Sequence, residues 1–218
     1  MKNVLLLYVY VLRALCARRF AFCLLFSIAV TYGLVVSGMD YTYLEFVSGA
    51  GLWNWLLLAD SLGFLMPFII PVALYFLAKK MQNQALFIKA KATVFAVVIG
   101  FTVSMFLKAI TGRQSPPHAH HNEPLVLFDN SHHFQFGFMR EQIIGGWPSS
   151  HTTIAFALAM TLAALSSGNK KWNIVYFIVA FGVGIGVTFG FHWLSEFVAG
   201  AIIGSCIGKV TGEYFKKK

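Results

Sequence analysis

Residues 149–190 read SSHTTIAFALAMTLAALSSGNKKWNIVYFIVAFGVGIGVTFG. Two apolar runs flank a polar hinge, Ser166-Ser167-Gly168-Asn169-Lys170-Lys171. Each run comes close to the ~20 apolar residues that a helix needs to cross a bilayer. Neither alternates apolar with polar residues as a half-buried strand would. The stretch therefore predicts two membrane helices joined by a short basic turn.

Working outward from this pair, four more apolar segments extend the pattern, at about 20–37, 62–78, 92–108 and 192–208. The whole chain agrees. Of its 218 residues, 58% are hydrophobic and only 11% charged, against roughly 25% charged in soluble domains. The expected fold class is an all-α membrane protein, a bundle of six transmembrane helices in a single domain over 1–218. A short interfacial helix is expected over 48–60, where Trp53 and Trp55 suit the headgroup level. Pro67 and Pro71 are expected to kink the second span. A long outer loop is expected over 109–147, between spans three and four. The segment 1–17 reads as an uncleaved membrane-surface helix, its apolar stretch broken by Arg13.

The net charge of +9 raises the question of nucleic acid. Its placement excludes that reading. With the N-terminus inside, 14 of the 17 basic residues fall on inner segments, leaving Lys108, Arg113 and Arg140 outside. Seven of the eight acids lie outside, and Glu213 is the exception. This is the asymmetry of a multi-pass protein with both termini cytoplasmic. Cys16, Cys23 and Cys206 form neither a metal spacing nor a disulfide framework and read as buried thiols.

Three stretches place ionisable groups at the outer boundary, where such groups are costly and usually functional. The third span ends in Lys108-Ala-Ile-Thr-Gly-Arg113-Gln-Ser-Pro116. The fourth begins with Pro148-Ser149-Ser150-His151, and the sixth with His192-Trp-Leu-Ser195-Glu196. Lys108 and Arg113 are cations suited to a phosphate, and Arg binds it bidentately. A Pro-led helix start offers free backbone N–H groups to an anion, and Ser149 and Ser150 add hydroxyls. His192 and Glu196, four apart, share one face of a helix. A carboxylate on one imidazole nitrogen leaves the other free to attack, and His151 then serves as general acid. The structural alternatives are snorkelling for Lys108 and helix capping for Ser149, Ser150 and His151.

These stretches resemble the motifs of the type 2 phosphatidic acid phosphatase superfamily, the membrane-bound lipid phosphatases. That family reads Lys-x6-Arg-Pro, Pro-Ser-Gly-His and Ser-Arg-x5-His-x3-Asp. The resemblance covers a core of about 91–209. It implies an enzyme, a phosphoric ester or acid anhydride hydrolase acting on a membrane lipid. It implies that His192 forms a phosphohistidine, Glu196 orients it and His151 protonates the leaving group. Lys108, Arg113, Ser149 and Ser150 are then the phosphate-binding set, with no metal and no cofactor. Departures are plain. Ser115 stands where the first-motif Arg is expected, Ser150 replaces the Gly and Glu196 the Asp, and Ile185-Gly186 replaces Ser-Arg. Arg113, with Arg140 or the loop histidines, is expected to compensate.

The expected substrate is a phosphomonoester or diphosphate of a membrane lipid, met at the periplasmic or exterior face of a bacterial inner membrane. Alternatives are a lipid phosphotransferase of the same fold and a catalytically degenerate lipid-binding member. His118, His120, His121, His132 and His133 raise a metal-carrier reading, but no Cys accompanies them. No nucleic-acid partner is expected, and nothing in the sequence speaks to oligomeric state.

Overall fold

The computed structural model describes residues 18–117, 126–140, 146–166 and 169–217. Among these the chain is all-helical, with no strand: α1 (Arg18–Val36), α2 (Met39–Gly49), α3 (Trp53–Met81), α4 (Gln84–Thr111), α5 (Ser150–Ala164), α6 (Lys170–Gly186) and α7 (Leu194–Lys216). A 3-10 turn, Val187–Phe189, continues α6. The segment expected to form a surface helix, 1–17, lies outside the described residues, as does Cys16.

Among the described residues, five helices are long and apolar enough to cross a membrane: α1, α3, α4, α6 with its 3-10 turn, and α7. The expected span over 149–167 forms α5, which is apolar but has only 15 residues. At ~1.5 Å per residue that is about 22 Å, short of a hydrocarbon core of ~30 Å. α5 lies inside the bundle, against α3, α4, α6 and α7, and ten of its residues are buried. The interfacial helix expected over 48–60 is corrected. Trp53 and Trp55 instead open α3, whose 29 residues run on through Pro67 and Pro71, and the short helix is α2, at 39–49. At about 43 Å, α3 is longer than the ~30 Å hydrocarbon core, and both indoles lie in its first turn.

The basic helix ends gather at one end of the bundle. Arg18 and Arg19 of α1 line one groove with Lys209 of α7. Lys89 of α4 lines another with Asn169, the N-cap of α6. Apolar side chains cover the outside, Phe22, Phe64, Phe68 and Ile178 among them, each more than 60% exposed. In water such a surface would aggregate; in lipid it is solvated.

What holds the interior is close backbone packing. Gly200, Gly204, Gly208 and Gly212 recur every four residues along one face of α7. A Cβ on them would meet, respectively, the Ser149 carbonyl oxygen at 2.9 Å, that of Thr153 at 2.3 Å, that of Ala157 at 2.4 Å, and the Ala164 Cβ at 2.5 Å. The stripe thus seats α7 directly on the backbone of α5. Between lipid-solvated helices hydrophobic attraction is weak, and small residues that allow such contact supply the packing. The Thr161 hydroxyl adds a hydrogen bond to the Gly208 carbonyl at 3.2 Å.

Gly204→Ala should therefore destabilise the protein by about 1–3 kcal/mol, since the extra methyl has no free volume. Gly33→Ala, with nothing within 4 Å of the added atom, should stay within about 0.5 kcal/mol of the parent. Thermal unfolding of the purified protein in detergent measures both.

Candidate active site

The glycine stripe levels the starts of α5 and α7. Ser149 caps α5, its hydroxyl accepting from the Thr152 N–H at 3.4 Å and the Thr152 hydroxyl at 3.1 Å. Its own N–H donates to the Glu196 carbonyl at 3.2 Å, tying the two helix starts together. Pro148 precedes this cap instead of opening the first turn. The first helical hydrogen bond runs from Thr153 N–H to the Ser149 carbonyl. The N–H groups of Ser150 and His151 come before it, at the positive end of the helix. The Ser150 hydroxyl oxygen is buried there with no hydrogen-bond partner among the described residues.

His192 lies just ahead of α7, whose N-cap is Trp193. The pair with Glu196 is thus made across the cap and not along one helical face. It is short nonetheless: His192 Nδ1 to Glu196 Oε2 is 2.6 Å, with Glu196 fully buried and His192 5% exposed. The carboxylate orients the ring and leaves Nε2 as the second nitrogen. His151 faces His192, the ring centroids 6.5 Å apart at 61°. Lys108, buried in the last turn of α4, lies within electrostatic range of His151, His192 and Glu196. Burial, with the charges of Lys108 and Arg113, pushes the His192 imidazole below its ordinary value of 6.5, against the hydrogen bond and charge of Glu196, which raise it.

Arg113 departs from expectation. It is 1% exposed, and four of its five N–H donors are engaged. Nε and Nη2 share the Ser131 carbonyl at 3.0 and 2.8 Å, Nη2 meets Asp40 Oδ2 at 2.7 Å, and Nη1 meets Ser195 Oγ at 2.7 Å. Nη1 also stands 3.5 Å from Glu196 Oε1. The rings of Phe134 and Trp193 flank the guanidinium, at 5.0 and 5.7 Å. Arg113 is a brace behind Glu196, not an open cation. Arg140 does not stand in for it: its side chain is exposed and lies over Gly137.

Asp40 and Ser195 were not singled out in the sequence. Asp40, in the first turn of α2, accepts from the Ser195 N–H at 2.8 Å and from its hydroxyl at 2.6 Å. It caps α7 from another helix while neutralising Arg113. Asp60 of α3 was also missed, and its Oδ1 lies 3.5 Å from His151 Nε2. No side chain fits at 186, where the family pattern has an arginine. A Cβ at Gly186 would fall 2.3 Å from that of Ala59, so α3 occupies the space a side chain there would need.

The part of the loop that is described, 126–140, folds back over the end of α4. Gln114 N–H donates to the His133 carbonyl, Gln135 N–H to that of Gly112 and Gly137 N–H to that of Ile110. Phe134 stacks on Phe136, while Phe136 and Phe138 are exposed. His132 and His133 are exposed, whereas His118, His120 and His121 lie outside the described residues. Among the described residues no cluster of His, Cys, Asp or Glu is arranged to hold a metal.

Asp40→Ala should cost about 3–5 kcal/mol of stability, because it takes from the buried Arg113 its 2.7 Å carboxylate partner and leaves only the longer 3.5 Å contact with Glu196, which also serves His192. Chemical unfolding in detergent measures it, and Asp40→Ala combined with Arg113→Met should recover part of the loss.

Compared with known families, residues 65–218 match the model of the PAP2 superfamily, which takes in α4 to α7 and every site residue except Asp40 and Asp60. No curated protein and no solved structure matches the chain. With 154 of its 218 residues matched, the chain belongs to the PAP2 superfamily, whose membership implies phosphatase-type activity on phosphate esters.

Proposed function

We propose that this protein is an integral membrane lipid phosphatase that works through a phosphohistidine. The observation that carries the reading is the facing pair His151 and His192, with Glu196 held against the second ring. His192 Nε2 attacks phosphorus while Glu196 holds the Nδ1 proton and stabilises the imidazolium. Lys108, the Ser150 hydroxyl and the N–H groups at the start of α5 hold the phosphate oxygens. A substrate oxygen supplies the partner that buried Ser150 Oγ otherwise lacks. His151 gives its proton to the departing alkoxide and takes one back from the attacking water. Positioning and charge stabilisation carry most of such a transfer. Ser149 serves chiefly as the cap that aims α5. Arg113 acts through Glu196 and Ser195.

The lipid character of the substrate rests on position. The site sits at the outer helix ends, and an apolar groove of about 470 Å³ opens between α3 and α6, lined by Trp55, Leu58, Leu62, Gly182 and Val183. In this reading α5 counts as the fourth of six spans, both termini are cytoplasmic, and the site faces the exterior of a bacterial inner membrane. The charge asymmetry supports that orientation. Transfer to a lipid or sugar hydroxyl is the second reading, favoured by the near-complete burial of His192, which restricts water. Label from a phosphate-labelled substrate would then appear in a new ester and not as inorganic phosphate.

A panel of lipid phosphates assayed in detergent tests the proposal. His192→Ala should lower turnover at least about a thousandfold and His151→Ala about 10²–10⁴-fold. Full hydrolysis by either variant would contradict the roles given. The pH profile offers a separate check. A nucleophilic imidazole works neutral, and this one has a lowered pKa, so it stays neutral below pH 6.5. The acid limb of kcat/KM assigned to His192 should therefore fall below 6.5, and a limb above it would contradict the assignment.

A further inference from the structure

α3 contributes nothing to the sequence motifs, yet it forms one wall of the site. Two of its residues, three apart on one face, meet the same imidazole. Asp60 places Oδ1 3.5 Å from His151 Nε2. At Gly63 an added Cβ would lie 2.5 Å from His151 Cδ2 and 3.1 Å from Cγ. The Cδ2–Cγ side of the ring therefore lies close against bare backbone at Gly63, while Nε2 is turned to Asp60. Lys108 of α4 and His192 stand near the same ring.

We infer that Asp60, on a seat cut by Gly63, is the positioning residue that makes His151 a proton donor. The inference rests on the phosphatase reading above and adds a residue to it. At 3.5 Å the contact is longer than a formed hydrogen bond, as is common before substrate tightens a site. Two effects follow. The carboxylate accepts the Nε2–H, which leaves Nδ1 as the nitrogen that exchanges protons with substrate. Its charge also stabilises the imidazolium beside the cation Lys108. In the first half-reaction the P–O bond to the leaving group breaks, its electron pair goes to that oxygen, and the Nδ1 proton follows. In the second, water attacks the phosphohistidine, the P–N bond breaks, and the water proton goes to Nδ1. The second proton stays on Nε2, donated to Asp60 throughout, so one tautomer serves both steps.

A merely structural Asp60 would affect all substrates alike. A residue that supports leaving-group protonation matters most where the leaving group is poor. The test compares Asp60→Asn with the parent protein in detergent on two monoesters, a dialkylglycerol phosphate and p-nitrophenyl phosphate. The ratio of kcat for the alkyl ester to kcat for the aryl ester should fall about tenfold or more, within the range general acid catalysis supplies. Asp60→Glu should restore part of that ratio. In a His151→Asn background, Asp60→Asn should change the ratio no further. An equal loss on both esters, or no loss on either, would overturn the inference. Nitrogen resonances of 15N-histidine-labelled protein give a readout independent of turnover. Asp60→Asn should move those of His151 and leave those of His192 in place, and unmoved His151 resonances would overturn the inference. Should the parent hydrolyse neither ester, the phosphatase reading fails, and the spectra alone decide whether Asp60 governs His151.

Discussion

The seating of α7 on α5 through four glycines is the constraint on which the site depends. Each missing Cβ lets a carbonyl of α5 approach a bare stretch of α7. The last contact of that run is the Ser149 N–H on the Glu196 carbonyl, so the helices start level. That level start brings His151, two residues past one cap, opposite His192, one residue before the other. A side chain at 200 or 204 would push the helices apart at the end where the imidazoles must meet. The proposed chemistry therefore depends on backbone packing that begins beside the site, and a displacement of about 1 Å can cost about a hundredfold in rate.

Behind the histidines lies a buried chain of charges. Asp40 holds Arg113, Arg113 stands beside Glu196, and Glu196 holds His192. Burying these charges in a membrane protein is costly unless each is paired, and here each is. The arrangement also shows how the site differs from its family pattern. The arginine that remains, Arg113, is turned inward as a brace. The position where another is expected, Gly186, is closed by Ala59 of α3. In return α3 brings a carboxylate, Asp60, to the edge of the pocket. In the proposed function the phosphate is therefore held with fewer arginines than the family motifs specify, by Lys108 and the positive end of α5.

Much of this was legible in the sequence because the membrane leaves strong marks. Apolar runs give spans, and lysines placed at their ends give their common face. His151, His192 and Glu196 stood out as ionisable groups at helix boundaries. Other features left no such mark. Asp40 and Asp60 read as ordinary outer acids, since nothing local says that one caps a distant helix and the other meets an imidazole. Arg113 read as an open cation because its burial comes from Ser131 and Phe134, which the loop returns to it. The boundary of α3 was misplaced because Trp53 and Trp55 suit an interfacial helix and the rim of a long span equally. The glycine spacing on α7 was legible in principle: four glycines at intervals of four on an apolar helix mark a face for close packing. It identifies no partner, and α5 is known only from the fold.

The central claim is that His151 and His192 flank one phosphorus atom. It is tested most directly by an experimentally determined structure of the protein with orthovanadate, a mimic of the five-coordinate phosphorus of transfer. The account predicts vanadium bonded to His192 Nε2, with His151 hydrogen-bonded to the oxygen opposite that bond and Ser150 Oγ on another. Vanadate bound away from His192, or the two imidazoles on different sides of the bundle, would contradict it.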